Sequence, residues 1–114
     1  DLSIWGTPMS RGTSHNKAFQ SVDFAQQTMD AFLDIRGSVD VVLTHGPCRE
    51  LYKNIRSTTR NRFQSPVHIW GHWHGGHGVS RREDGTLSIC ACIMDGSYDL
   101  ANAPVVVDIS AERR

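Results

Sequence analysis

The sequence predicts an α/β fold, and three observations point to it. Short apolar, β-branched runs alternate with segments of helical periodicity, in the order strand, helix, strand, helix, strand. A hairpin signal follows, Asp84-Gly85 set between two strand-like runs. The 114 residues, 39% of them apolar, match the size and composition of one domain with a core of its own.

Each element has a local cause. Leu2-Ser3-Ile4-Trp5 reads as a strand, ended by Gly6-Thr7-Pro8. Residues 9–20 are polar and rich in Gly and Ser, the composition of a loop, with Met9 and Phe19 as its anchors. Ser21 is placed as an N-cap, with Asp23 in the first turn complementing the helix dipole. Val22, Ala25, Met29, Phe32, Leu33 and Arg36 recur at helical spacing up to Gly37, which predicts an amphipathic helix over 22–36. Val39 to Thr44 has the continuous apolar character of a strand buried on both faces. Residues 49–62 read as a weaker helix with Leu51, Tyr52 and Ile55 inward. Val67-His68-Ile69-Trp70 is a strand that stops at Gly71. Val79–Arg82 and Thr86–Ile93 flank the hairpin turn, and Pro104 precedes an expected last strand, Val105–Ile109.

Charge and cysteine content narrow the function classes. Twelve Lys and Arg balance twelve Asp and Glu, which argues against a polybasic nucleic-acid or membrane-surface protein. Arg49, Lys53, Arg56, Arg60 and Arg62 form a local basic segment that could attract phosphates or RNA, but a solvated helix face is the simpler account. No apolar run approaches the ~20 residues of a membrane span. Cys48, Cys90 and Cys92 are odd in number, and Cys90 and Cys92 on one strand face are poorly placed to bridge each other. Three free thiols in a reducing, intracellular compartment are therefore expected, ahead of a zinc module. Asp1 lies directly against Leu2-Ser3-Ile4-Trp5, which suggests a processed or partial chain.

The histidines carry the most chemistry. Four of the six lie between His68 and His77. His72-Trp73-His74 in extended backbone would send both imidazoles to one side, and His45, following a buried strand, could bring a third nitrogen to the same place. Both His45 and His72 stand just past the carboxyl ends of expected strands, where α/β sheets collect ligands. Neutral imidazole suits Zn, Fe and Mn. His68 inside a strand reads as structural, and His15 in a polar loop as solvated.

The run Leu43-Thr44-His45-Gly46-Pro47, followed by Gly71-His72-Trp73-His74, resembles the last two metal-binding motifs of the metallophosphoesterases, the calcineurin-like superfamily. The resemblance extends to Ile4-Trp5-Gly6-Thr7-Pro8 before Ala18-Phe19, to Gly75-Gly76-His77-Gly78-Val79, Asp84-Gly85-Thr86 and Tyr98, and to Ala103-Pro104-Val105-Val106-Val107-Asp108-Ile109, which are similar to the brain-type branch. It implies a phosphoester hydrolase on a four-layer αββα sandwich, with residues 1–114 as the carboxyl-terminal portion of the domain. It further implies two divalent ions (Mn, Fe, Zn or Mg), one held by His45 and His72, the other by His74. Trp73 and His77 are candidates for the substrate side, with packing an equal account of Trp73, and His77 able to stand beside the site without binding metal. The substrates it implies are small phosphoesters, phosphodiesters such as cyclic nucleotides among them. The family's earlier motifs, Asp-x-His, Gly-Asp and Gly-Asn-His, do not occur here, so no acid or base is assigned within the chain. A missing amino-terminal segment or a partner chain would have to supply the carboxylates. The alternative is a non-catalytic scaffold or assembly subunit that keeps the fold.

Overall fold

The computed structural model describes residues 2–12, 15, 18–34, 39–48 and 67–109. The helix expected over 49–62, with its basic segment, lies outside the described residues. Four strands run parallel: β1 (Ile4–Thr7), β4 (Val41–Thr44), β5 (Val67–Trp70) and β7 (Leu87–Cys90). A fifth, β6 (Gly78–Arg81), is antiparallel to β7, giving the order β1-β4-β5-β7-β6 among the described residues. This parallel-rich sheet with its helix is the α/β class expected from the alternation of elements. The stretch read as a loop holds two further short strands, β2 (Ser10–Arg11) and β3 (Gln20–Ser21), which pair with each other. Met9 packs against the core as expected, whereas Phe19 is exposed and sits at a positive φ of 56° in the turn before β3.

Strand register sorts the side chains into two faces. Trp5, Val42, His68 and Ser88 lie in one row, and Val41, Val67 and Leu87 in another on the opposite face. Helix α1 (Phe24–Leu33) covers the first face, burying Phe24 and Phe32 with Val39, Val42 and Cys48. The helix is shorter than 22–36 and begins later than predicted. Asp23 is its N-cap, and Ser21 Oγ accepts from the Asp23 N–H (3.1 Å), so the serine closes a turn ahead of the helix instead of capping it. With that start the buried stripe is Phe24, Thr28 and Phe32, spaced i, i+4, i+8, and Val22 and Leu33 fall in solvent.

The second face is covered unevenly. Val41, Val67 and Ile89 are buried there under Val105, Val107 and Ile109, but Leu43 and Ile4 are exposed. The expectation that Val39–Thr44 is buried on both faces therefore fails at Leu43. The predicted strand Val105–Ile109 also does not form. Its alternation is real, since Val105, Val107 and Ile109 are half-buried while Val106 and Asp108 are exposed. The segment lies over the face of the sheet, so alternate side chains reach the core while the backbone joins no ladder.

The hairpin turn is where Asp84-Gly85 placed it. Gly85 has φ +90°, its N–H bonds Arg82 O (2.9 Å), and Asp84 Oδ1 accepts from the Thr86 N–H (2.8 Å). The strands on either side are shorter than Val79–Arg82 and Thr86–Ile93. Because β7 ends at Cys90, Cys92 does not share a strand face with it.

Candidate functional site

Adjacent parallel strands deliver two histidines to one end of the sheet. His45 follows the last residue of β4, and His72 stands two residues beyond β5. Their rings are 4.7 Å apart between centroids and tilted by 40°. The loops are tied together by the Gly71 N–H donating to His45 O (2.9 Å). Both rings line a pocket of about 450 Å³ whose walls include Ser10, Arg11, Phe24 and Gly46. Burial, with the neighbouring His72 adding to it, lowers the His45 pKa below its ordinary 6.5, so the ring is neutral at pH 7 and keeps a lone pair.

His74 does not converge with them in the way an extended His-x-His predicts. His72 has φ +67°, a left-handed conformation that costs a non-glycine residue roughly 1–2 kcal/mol. A 3₁₀ turn then starts at His74 and runs to Gly76. The period-two geometry is lost, and His74 lines a second opening of about 380 Å³ with Trp73, Gly96 and Tyr98, into which His72 also faces. His74 Nδ1 lies 2.9 Å from the Asp95 carbonyl. A carbonyl only accepts, so Nδ1 carries the proton and Nε2 keeps the lone pair, the tautomer a metal-binding imidazole needs. Tyr98 packs edge-on against the His74 ring at 4.9 Å.

Trp73 and His77 are held by contacts of their own. The Trp73 indole stacks on Trp70 (6.2 Å, 13°) and lies against the Gly76 backbone so closely that a Cβ there would come within 2.6 Å of it. Trp70 itself is buried, and its Nε1–H donates to Ser88 Oγ (2.9 Å). His77 Nε2–H donates to the Ala103 carbonyl (2.9 Å). His15 is exposed, as expected of a solvated loop residue.

His68 is fully buried and braces the loop that carries His45. Thr44 Oγ1 donates its single proton to Gly46 O (2.6 Å), so it must accept from His68 Nε2–H (2.8 Å). Burial, with a contribution from the Arg82 charge, pushes the His68 pKa down from 6.5 to about 4. The unfolded chain takes up a proton near pH 6.5 and the folded one refuses it until about pH 4. Stability is therefore whole above pH 6.5 and falls by about 3 kcal/mol as pH drops to 4. Urea unfolding at pH 7, 5.5 and 4 should show this loss, and H68N should flatten it. A variant that keeps the wild-type acid slope would remove His68 as its cause.

Arg11 and Tyr98 are site-lining residues that sequence reading did not single out as ligand contacts. Arg11 lay in a stretch whose composition says only loop, and Tyr98 in a turn after the sheet.

Comparison with known proteins finds relatives along most of the chain. UPF0046 protein T07D4.2 of Caenorhabditis elegans is 32% identical over 95% of this chain, and Metallophosphoesterase domain-containing protein 1 of Homo sapiens is 28% identical over 96% of it. The chain is a relative of the metallophosphoesterase-domain proteins. The mouse Metallophosphoesterase domain-containing protein 1 matches equally, at 28% identity. The chain spans about a third of the length of these curated relatives (29–33%). No protein-family model matches it.

Metallophosphoesterases generally use divalent metals. Among the described residues, no group of three or more His, Cys, Asp or Glu is placed to hold a metal ion. The donors that do meet, His45 and His72, are imidazoles, which fit part of one ion's coordination sphere; a two-metal centre would further need carboxylates that these two residues do not provide. Cys48, Cys90 and Cys92 are free thiols. Burial, and a hydrogen bond that the Cys92 thiol donates to Cys90, push the Cys92 pKa up, which disfavours the thiolate a metal would need.

Proposed function

We propose that the chain supplies the histidine side of a metal-dependent phosphoester hydrolase site, with phosphodiesters as the substrate class. The observation that carries this reading is the 4.7 Å pairing of His45 and His72 at the carboxyl ends of adjacent parallel strands, inside a pocket large enough for a phosphoryl group. His45 and His72 would hold one divalent ion, and His74, with its free Nε2, would serve a second. Such ions polarise phosphoryl oxygens and lower the pKa of a bound water.

The chain's own residues do the positioning. The His68–Thr44–Gly46 hydrogen-bond chain sets the loop behind His45, and the Asp95 carbonyl fixes the His74 tautomer. Trp73 and His77 border the substrate side. The carboxylates that offset the ionic charge come from residues outside 1–114, and the chain forms the carboxyl-terminal portion of a four-layer αββα sandwich.

The test is metal removal from the full-length protein. Hydrolysis of bis(p-nitrophenyl) phosphate should be lost on stripping with a chelator and return with Mn, Zn or Mg. A full-length protein that retains no metal and hydrolyses no phosphodiester, metal added or not, would overturn this reading in favour of a scaffold.

A further inference from the structure

We infer that Cys90 and Cys92 form a modification site, a dithiol that takes up an internal disulfide from a low-molecular-weight disulfide and thereby releases the loop that holds His72. The modification stands on the two thiols alone; its effect on hydrolysis rests on the phosphoesterase reading.

Three contacts tie the end of β7 to the loop that follows β5. The Cys90 thiol donates to Trp73 O (3.5 Å), and the Ala91 N–H donates to Trp70 O (2.8 Å). Cys92 Sγ lies against Gly71, where an added Cβ would stand 3.8 Å from it. The Cys92 thiol in turn donates to Cys90, so a buried and a half-buried thiol already meet. Together they frame a strained turn. The Trp73 N–H closes on Gly71 O (2.8 Å) across His72 at φ +67°, the rare form of γ-turn. Such a conformation persists only while its surroundings hold it.

The exchange has two steps. The half-buried Cys92 gives its proton to solvent and attacks one sulfur of the donor, here oxidised glutathione. The donor's S–S bond breaks, one glutathione thiolate leaves, and a mixed disulfide forms. Cys90 then loses its proton and attacks Cys92 Sγ, expelling the second glutathione thiolate. Both leaving thiolates are protonated, so the dithiol is oxidised and the donor is reduced to two thiols. Burial holds the Cys92 pKa above its ordinary value, which slows the first step. With one residue between the cysteines the ring is small, and a strained bond is easily reduced again. The new bond, about 2.05 Å long, takes the Cys90 donor from Trp73 O and draws Cys92 Sγ off Gly71. His72 then loses two of the contacts that hold its turn.

The experiment takes the full-length protein through glutathione buffers from fully reduced to fully oxidised, alkylates the remaining thiols and digests with trypsin. Cleavage after Arg82 and Arg113 puts Cys90 and Cys92 on one peptide, and cleavage after Arg36 and Arg49 puts Cys48 on another. The first peptide should become about 2 Da lighter and escape alkylation. Amide exchange across 71–74 should quicken, and hydrolysis of bis(p-nitrophenyl) phosphate should fall about tenfold or more. Dithiothreitol should reverse all three, and C92S should show none of them while keeping its basal hydrolysis. Two alkylated thiols on that peptide in fully oxidised buffer, or separate glutathione adducts, overturn the modification. A disulfide that leaves amide exchange unchanged, or a loss of hydrolysis shared equally by C92S, overturns the link to His72. A disulfide that quickens exchange in a protein hydrolysing nothing, even when reduced, sustains the redox pair and removes the hydrolase.

Discussion

Alanine in place of His72 is expected to lower phosphodiester hydrolysis by the full-length protein about a hundredfold or more, corresponding to at least about 3 kcal/mol of transition-state stabilisation. His72 should be the most damaging of the histidines to lose because it faces both openings, pairing with His45 in one and standing beside His74 in the other. Its left-handed backbone points the same way. A β-carbon-bearing residue is held at φ +67° where glycine would be free of strain, as in sites whose side chain the surroundings require. H72A should also lower bound metal, measured by elemental analysis, below that of H74A. A variant with wild-type metal content and turnover would show that the pairing of His45 and His72 serves packing alone.

How much of this was legible follows from which forces were local. The strand ends at Thr44-His45-Gly46 and Trp70-Gly71-His72 announce themselves, because a β-branched apolar run stops at glycine and leaves histidine exposed. The hairpin turn at Asp84-Gly85 is equally local. What failed depended on contacts far away in sequence. Val105–Ile109 has the alternation of a strand, yet alternation reports only that one side is buried, not that a neighbouring backbone is there to pair. His72-Trp73-His74 was read with period two, and the φ +67° that breaks the period leaves no sign in residue identity. The β2–β3 pair was invisible because two-residue strands carry no periodicity. With it went Arg11, whose place in the pocket depends on that pairing and on Phe24.

Phe32 joins the sheet to the helix that shapes the pocket, and F32A is expected to cost about 3–5 kcal/mol. The ring is fully buried between α1 and the first face of the sheet, 5.2 Å from Trp5 in an edge-to-face arrangement. Its cluster includes Phe24, Val39, Val42 and Cys48, so truncation opens a cavity that a ten-residue helix and the sheet beneath it can close only in part. The second face gives the internal control. Val105 is half-buried over Val41, Val67 and Ile89, and it is held by side-chain packing without a ladder. V105A should therefore cost no more than about 1–1.5 kcal/mol. Urea unfolding of the full-length protein, followed by tryptophan fluorescence because Trp5 adjoins Phe32, measures both. The two losses should differ by at least about 2 kcal/mol; equal losses would mean that the second face carries as much of the fold as the first.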